Sequence, residues 1–380
     1  MIKLNDLQRQ NLFLMGEFIE VFGEIVKDSA FILRKEVIDF ELRLQEFLNT
    51  TNNIIGVNSA TDALFMAMNF ANVRPGDQVL VPSRTYVASI SAIIHVGAIP
   101  VFVDIDDNFN LCIDDAEAKI TSATRAIMPV HLSGQPCDMQ RLQLLAKKNN
   151  LVIIEDAAPA VGAKFKGKAV GTYGEFGAIS LHPLKALSAL GDGGLLLVQD
   201  NTVAERARVF RDHGHMQPKI LEEYTEFGIN SRLDNLQAAF CKIKLKYLNQ
   251  WIKRRRQIAK YYSEQLISTS VQPQAAKYLN RLEKTSDYFD TFNSFVLELE
   301  NPKQFQEFMM SGTNPIEVAT CFSRPLHNHP NLVKQFKFKK IVSLPKTEYY
   351  SKRTVVVPIY PELTDNEVAT ISKKLYEYLS

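Results

Sequence analysis

The 380-residue chain is long enough for two packed domains, and its 46% hydrophobic and 23% charged residues are ordinary for a globular protein. Its 44 basic and 42 acidic residues nearly balance, which indicates neither nucleic acid nor an anionic membrane as a partner. The sequence shows no apolar run near the ~20 residues of a membrane span and no signal-peptide layout, and its four cysteines are far apart. We therefore expect a cytoplasmic protein with reduced thiols and no metal site.

The first 154 residues alternate between helical and extended patterns. Apolar residues at helical spacing predict helices over Leu4–Val26 and Glu36–Leu48. Short Val/Ile/Leu runs then alternate with helical segments, and each run is typical of a buried strand. The predicted strands are Ile54–Val57, Gln78–Val81, Ile99–Val103, Ala126–Val130 and Leu151–Ile154, with predicted helices at Ala63–Phe70, Ala88–His95, Asp114–Ile120 and Met139–Lys148. This order indicates an α/β domain with a mainly parallel sheet and helices on both faces.

The rest of the chain predicts a smaller domain. A long helix over Leu233–Leu266 is followed by a loop-like segment, Val271–Glu283, which marks a domain boundary. Strands and helices then alternate again, at Phe295–Leu299, Pro302–Met310, Thr354–Pro358 and Asp365–Tyr378. We expect residues 1–250 to form a large domain with an N-terminal helical segment. Residues 251–380 would form a small α+β domain that begins with the long helix.

One lysine stands between two predicted core strands of the large domain. Phe176–Leu181 and Leu195–Val198 are apolar runs, and the polar bend between them carries Lys185 and a glycine-rich segment. A lysine held near apolar surface has a lowered pKa, because burial disfavours its charged form. A neutral amine there could attack a carbonyl group. The alternative is a surface lysine in an ordinary loop.

Three other strand ends carry candidate ligand groups. Asn58–Asp62 turns a strand into a helix, where backbone N–H groups could bind an anion or Ser59 could cap the helix. Asp156 ends a buried strand and could hold a protonated ring nitrogen, although helix capping is an equal alternative. Tyr86 could stack on a flat ligand or be a core aromatic residue.

Two further features have a simpler interpretation. The run Lys253–Arg256 lies in a predicted helix, so it is expected to be a solvated surface, with contact to a pyrophosphate as the alternative. His327 and His329 lie in a loop without partners at metal-ligand spacing, which argues against a metal site.

The chain resembles the DegT/DnrJ/EryC1/StrS family of pyridoxal-phosphate-dependent aminotransferases, which act on nucleotide-linked keto-sugars. The matching segments follow the family's order along the whole chain. They are NSATDAL (58–64), PGDQVLVPSRTYVAS (75–89), GAIPVFVDID (97–106), PVHLSGQPCDM (129–139), EDAAPAVGA (155–163), SLHPLKALSALGDGG (180–194), NSRLDNLQAA (230–239), RPLH (324–327) and LPKTEYYSKRTVVVPIYPELTDNEV (344–368). These segments most resemble those of the branch that aminates the sugar C3 position. The resemblance implies fold type I, with a seven-stranded, mainly parallel sheet and a smaller C-terminal α+β domain.

The resemblance also implies a role for particular residues. Lys185 corresponds to the lysine that bonds covalently to pyridoxal 5′-phosphate, Asp156 to the partner of its ring nitrogen, and Tyr86 to the ring-stacking aromatic. The phosphate contacts correspond to Ser59, Ala60, Thr61 and Ser180. Asn230 corresponds to a residue that reaches the phosphate of the neighbouring subunit, which implies a homodimer with shared active sites. Arg324 and His327 are candidate contacts for the nucleotide-sugar.

The implied reaction moves an amino group from an amino acid, usually glutamate, to a nucleotide-linked keto-deoxysugar. Several positions depart from the family pattern. Ala60 replaces a common glycine, Arg84 a frequent histidine, and Pro159 a glutamine that contacts the cofactor, while the segment after Lys185 lacks a frequent asparagine and the Arg324–Pro330 stretch keeps only PLH. They leave two alternatives open, a pyridoxal-phosphate-dependent sugar dehydratase or lyase and a non-catalytic regulatory relative. Retention of Lys185 favours transamination.

Overall fold

The computed structural model describes residues 1–215, 224–336 and 342–380. Its helices are α1 (Leu7–Asp28), α2 (Lys35–Leu48), α3 (Ala60–Phe70), α4 (Val87–His95), α5 (Ile113–Ala118), α6 (Met139–Asn149), α7 (Asn201–Phe210), α8 (Asn235–Leu245), α9 (Leu248–Leu266), α10 (Gln272–Leu282), α11 (Pro302–Met310), α12 (Pro330–Phe336), α13 (Pro345–Ser351) and α14 (Asp365–Leu379). None of these helices is both long and apolar enough to cross a bilayer.

The strands of the same ranges form one large sheet and two small ones. They are β1 (Asn53–Val57), β2 (Gln78–Pro82), β3 (Ile99–Val103), β4 (Thr124–Ile127), β5 (Val152–Asp156), β6 (Lys164–Phe165), β7 (Lys168–Ala169), β8 (Phe176–Ser180), β9 (Gly194–Val198), β10 (Tyr288–Phe289), β11 (Phe295–Glu298), β12 (Ala319–Thr320) and β13 (Thr354–Val357). The strand predictions from the sequence are confirmed to within a few residues at each end.

The large sheet has seven strands in the order β1-β9-β8-β5-β4-β2-β3, and its α/β architecture confirms the expected fold class. Within this sheet, β9 is the only described strand that runs antiparallel to its neighbours, and the pairs that do not involve β9 are parallel. The carboxyl ends of β2, β4, β5 and β8 therefore meet at one edge, together with the start of β9. That edge is where an open α/β sheet binds its ligands.

A second sheet, in the order β11-β13-β12, is antiparallel and packs with α9, α10, α11 and α14. Its core includes the buried rings of Tyr262, Tyr278, Phe295 and Phe305. Ile2 also joins this core through a bridge to Ile316. The division of the chain near residue 250 stays a prediction.

One loop prediction and one helix prediction in this half of the chain are wrong. The segment expected to be a loop, Val271–Glu283, contains α10, which buries Ala275, Tyr278 and Arg281 on one face. The helix expected over Leu233–Leu266 is two helices, because residues 246 and 247 bond to carbonyls three residues back and redirect the chain.

The run Lys253–Arg256 is not a uniformly solvated surface, as the sequence predicted. Arg255 is buried and donates to the carbonyls of Phe292 and Ile359, at 3.4 and 3.0 Å. Arg256 donates to the carbonyl of Asp290 at 2.8 Å. Most of the run therefore fastens α9 to the loops of the small sheet, and Lys253 remains exposed.

Candidate active site

A cavity of about 490 Å³ opens at the carboxyl edge of the large sheet. Part of the lining comes from residues at or just after the ends of β2, β4, β5 and β8, and another part comes from residues just before β11 and just after β12. The lining includes Thr85, Tyr86, Val130, Leu132, Ser133, Asp156, Pro159, Ser180, His182, Lys185, Asn293, Ser294, Cys321 and Phe322. Lys185, Asp156, Tyr86, Ser180 and the Ser59–Thr61 turn, which lie far apart in the sequence, therefore share one cavity.

Lys185 lies on the loop that connects β8 to its antiparallel neighbour β9. The loop closes at its base, because the Leu181 N–H donates to the Gly193 carbonyl at 2.9 Å. Lys244 holds the loop from outside by donating to the Ser188 hydroxyl at 2.9 Å. A partly buried lysine is thus presented to the cavity from a fixed backbone.

Burial lowers the pKa of the Lys185 ammonium group below its usual value, and attraction to the Asp156 carboxylate offsets part of this effect. The sequence predicted this direction. A lowered pKa increases the fraction of neutral amine near neutral pH, and the neutral amine is the form that accepts protons and attacks carbonyl carbons.

Asp156 and Glu155 are adjacent in β5 and face different surroundings. The Glu155 carboxylate is fully buried and accepts hydrogen bonds from the backbone N–H groups of Gly171, Tyr173 and Gly174. It also accepts one from His131 Nε2 at 2.9 Å, because His131 Nδ1 already accepts the Cys137 N–H. Asp156, by contrast, lines the cavity. Of the two acids, Asp156 is therefore the one that a ligand can reach.

Two linked hydroxyl groups position the Asp156 carboxylate, one by bonding to it directly and the other by bonding to the first. Sequence reasoning missed both. Ser89 is fully buried and donates to Asp156 Oδ2 at 2.7 Å. Thr85 Oγ1 lies 2.9 Å from Ser89 Oγ, and it is the donor of that pair because the Ser89 proton is already directed to Asp156. Ala158 N–H donates to Asp156 Oδ1 at 3.1 Å. Ser89 is a polar residue in the first turn of the apolar helix α4, and this was the signal in the sequence that could have identified it.

The Ser59–Thr61 turn begins α3 at the same edge of the sheet. Ser59 Oγ accepts the N–H of Asp62 at 3.2 Å, so the capping interpretation of this residue is confirmed. Thr61 and the helix N-terminus still line the cavity, and backbone N–H groups at a helix start favour an anion. The turn packs directly on the start of β9, where Gly194 leaves room for it.

We expect Gly194→Ala to lower the free energy of unfolding by roughly 1–3 kcal/mol, since overpacking forces the backbone to move. A Cβ atom at residue 194 would lie 2.2 Å from the Ser59 carbonyl carbon and 2.4 Å from the Ala60 nitrogen. Chemical denaturation measures the change. Gly16→Ala is the control, because no heavy atom lies within 4 Å of its added Cβ and the change removes a glycine from a helix interior. Equal stability of the two variants would contradict the expectation.

The remaining predicted residues divide into two groups. Tyr86 is 69% exposed and lies at the cavity, so its interpretation as a core aromatic is wrong. Asn230 is exposed and does not line the cavity of its own chain. Arg324 is also exposed and outside the lining. His327 is buried outside it, between Ser83 Oγ at 2.7 Å and Glu348 at 3.2 Å.

Arg84 replaces a frequent histidine and is almost fully buried behind the cavity wall. Its guanidinium donates to Thr354 Oγ1 at 2.8 Å and lies over the rings of Phe109 and Phe322, at 4.7 and 5.4 Å. Cation–π contacts offset part of the cost of burying this charge. Since Phe322 lines the cavity, Arg84 supports the wall from behind.

The fold and the cavity define a pyridoxal-phosphate-dependent enzyme of fold type I. The DegT/DnrJ/EryC1/StrS aminotransferase family model matches residues 14–376, and the chain belongs to that family. It is a sugar aminotransferase that uses pyridoxal phosphate.

The chain is similar over nearly its whole length to relatives of known name. It is 33% identical to the UDP-N-acetyl-3-dehydro-α-D-glucosamine 3-aminotransferase of Acidithiobacillus ferrooxidans, over 98% of this chain and 96% of the relative. It is 36% identical to the dTDP-3-amino-3,6-dideoxy-α-D-galactopyranose transaminase of Aneurinibacillus thermoaerophilus, over 100% and 99%. The crystal structure of DesV from S. venezuelae in complex with a ketimine intermediate superposes with a TM-score of 0.89 at 31% identity, over 98% of this chain and 97% of DesV.

Proposed function

We propose that this enzyme transfers an amino group from L-glutamate to a nucleotide-linked 3-keto-deoxysugar. The observation that carries the proposal is the meeting of Lys185 and Asp156 in one cavity at the carboxyl edge of the sheet. The names of two similar relatives, which both specify amination at the sugar C3 position, support the 3-keto over the 4-keto position.

The donor set of the cavity fits pyridoxal phosphate. The helix start at Ser59, Ala60 and Thr61, together with Ser180, would hold the phosphate group. Asp156 has its two oxygens fixed as acceptors by Ser89 and Ala158, which suits it to a protonated ring nitrogen. Tyr86 would cover the ring. Pro159, which also lines the cavity, has no side-chain donor to offer the cofactor.

Bound pyridoxal phosphate supplies an electron-accepting ring and the carbon atom that carries the amino group from donor to acceptor. Lys185, as a neutral amine, takes the proton from the donor carbon and returns a proton to the acceptor carbon. Asp156 keeps the ring nitrogen oriented and protonated. The apolar side chains of Val130, Leu132 and Phe322 limit water in the cavity.

The direct test supplies the purified protein with pyridoxal phosphate, L-glutamate and nucleotide-linked 3-keto or 4-keto deoxysugars. We expect 2-oxoglutarate and the 3-amino sugar to form in equal amounts, as measured by mass spectrometry. Amination of the 4-keto sugar alone would contradict the ring position. A dehydrated sugar without 2-oxoglutarate would identify a dehydratase or lyase, and a protein with neither product would favour the regulatory alternative.

We further propose a homodimer with shared active sites. Phe227 is 99% exposed, and Leu184 and Leu190 are exposed on the loop that carries Lys185. On α1, exposed apolar residues recur at alternating spacings of three and four, at Leu12, Met15, Ile19, Phe22 and Val26. A stripe of exposed apolar residues such as that on α1 is typical of a protein–protein interface.

The Asn230 segment supports the same proposal. Phe31, which follows α1 and is exposed, accepts the N–H of Asn235 through its carbonyl at 2.8 Å. The apolar stripe of α1 is therefore connected through Phe31 to the segment that begins at Asn230. Asn230 is exposed and is not part of the cavity lining of its own chain, as expected of a residue that serves a second copy.

Shared sites predict complementation between two inactive variants. We expect Lys185→Ala and Asn230→Ala homodimers to be impaired when pyridoxal phosphate is limiting, since one lacks the lysine and the other a phosphate contact. A heterodimer isolated with two affinity tags would contain one site with both native residues, and should recover half of the native activity. If each site lay within one chain, the heterodimer would show no more activity than the two variant homodimers averaged.

The proposed cellular location of the enzyme follows from its proposed substrates. Nucleotide-linked sugars and glutamate are cytoplasmic metabolites, so we propose a cytoplasmic enzyme. Its amino-sugar product would enter a surface polysaccharide, such as lipopolysaccharide O-antigen, or a glycosylated metabolite.

A further inference from the structure

Asn293 lines the same cavity as Lys185 and Asp156. It lies two residues before β11 and lines the cavity together with Ser294. Its side-chain oxygen, Oδ1, is buried, and no group within residues 1–215, 224–336 and 342–380 donates a hydrogen bond to it. A buried acceptor without a donor destabilises the protein, which suggests that a ligand provides the donor.

The backbone around Asn293 is fixed against the large sheet. Thr291 N–H donates to the Gly134 carbonyl at 3.0 Å, and Ser294 N–H donates to the Ser133 carbonyl at 3.4 Å. Gly134 permits this approach, because a Cβ atom there would lie 2.4 Å from Thr291 Oγ1. The Asn293 side chain is thus presented from a backbone that is held on both sides.

Two non-glycine residues next to these contacts have left-handed backbone angles. Ser133 has φ 59° and Phe292 has φ 50°. Such conformations are uncommon outside glycine, and they persist where the surrounding structure enforces them, often at ligand sites. Here they lie on either side of the contact that positions Asn293.

The surroundings of Asn293 favour one kind of ligand group. Val130, Leu132 and Phe322 contribute apolar surface to the lining, and Asn293 contributes an uncharged polar group. A carboxamide oxygen accepts from hydroxyl groups, and it repels carboxylates. The sugar acceptor has hydroxyl groups, whereas the groups of a dicarboxylic amino donor beyond its amine are anionic.

We propose that Asn293 is a specificity-determining residue that accepts a hydrogen bond from a ring hydroxyl of the sugar acceptor. The inference rests on the proposed sugar aminotransferase reaction and extends it to the part of the cavity lining that precedes β11. Asn293 therefore acts in the half-reaction with the sugar and not in the half-reaction with glutamate.

The test separates the two half-reactions in Asn293→Leu and Asn293→Asp. Asn293→Leu has a similar volume and no acceptor, so we expect kcat/KM for the keto-sugar to fall roughly 10- to 100-fold while glutamate turnover stays within about twofold of native. Asn293→Asp keeps an acceptor oxygen, so it should retain more sugar activity than Asn293→Leu. The added negative charge of the Asn293→Asp variant should instead weaken the binding of glutamate.

A panel of monodeoxy sugar analogues then identifies the contact. Removing the bonded hydroxyl should lower kcat/KM in the native enzyme and have little effect in Asn293→Leu. Unchanged sugar kinetics in Asn293→Leu, or an equal loss in both half-reactions, would overturn the proposal. A native enzyme that forms no 2-oxoglutarate from glutamate would instead overturn the proposed reaction, so the two failures are distinguishable.

Discussion

Lys185→Ala is expected to lower kcat by roughly four orders of magnitude, the upper end of what one positioned proton-transfer group contributes. The residue carries the amine of the cavity, and burial lowers the pKa of that amine. Single-turnover reaction with glutamate, followed as 2-oxoglutarate, measures the effect. Small added amines such as methylamine should restore part of the rate, because they can enter the space that the side chain leaves.

The control for this experiment is Lys303→Ala, an exposed lysine on α11. It should keep native kinetics. Thermal unfolding of Lys185→Ala should stay close to that of the native protein, which separates lost chemistry from lost structure. A Lys185→Ala enzyme with activity within tenfold of native would contradict the assignment of this lysine and the mechanism with it.

Lys244→Met is expected to stabilise the protein at pH 7. Lys244 is buried, and its side chain bonds to Ser188. Burial lowers the pKa of its ammonium group from 10.5 to about 8. A shift of this size corresponds to a cost of ~3 kcal/mol for the charged form in the folded state. Methionine has a similar length, and it removes that cost while losing one hydrogen bond worth about 1 kcal/mol.

The lowered pKa of Lys244 also determines how the stability of the protein changes with pH. Between pH 8 and 10.5 the unfolded chain binds a proton at residue 244 that the folded protein does not bind, so native stability rises with pH in this window. Below pH 8 the cost is fully present. The gain in Tm from Lys244→Met should therefore be largest below pH 8 and disappear as the pH approaches 10.5.

Measuring the Tm of both proteins from pH 7 to 10 at one protein concentration checks this expectation. Lys303→Met serves as the control, because it removes an exposed lysine and should show no such trend. A Lys244→Met protein that is less stable than native at pH 7 would mean that the hydrogen bond to Ser188 outweighs the cost of burying the charge.

Much of the fold was predictable because buried parallel strands have a strong sequence pattern. The apolar runs that became β1, β2, β3, β5 and β8 end in polar or small residues or are followed by them, and these ends meet at one edge of the sheet together with the start of β9. Lys185 and Asp156 could be recognised for this reason: each follows or ends such a strand, and the topology alone brings them together.

Contacts between distant segments could not be predicted. Ser89 is an unremarkable residue of an apolar helix in the sequence, and its role depends on the distance of 2.7 Å to Asp156. In the sequence, Arg255 cannot be distinguished from the other basic residues of its run. In the structure, the turn between α8 and α9 directs it inward. In both cases the deciding quantity is the packing of two elements, which the local pattern does not specify.

The opposite orientations of Glu155 and Asp156 make the length of β5 as important as its composition. Side chains alternate along a strand, so deleting one residue of β5 ahead of Glu155 would move Glu155 into the place of Ile154, which lies in the apolar core. Asp156 would move into the place of Glu155, at the donors that Glu155 now satisfies. A shift of the strand register by a single position would thus give four hydrogen-bond donors a shorter acid, bury a glutamate in the core and remove the carboxylate from the cavity. Insertions and deletions in this strand should be tolerated far less well than substitutions.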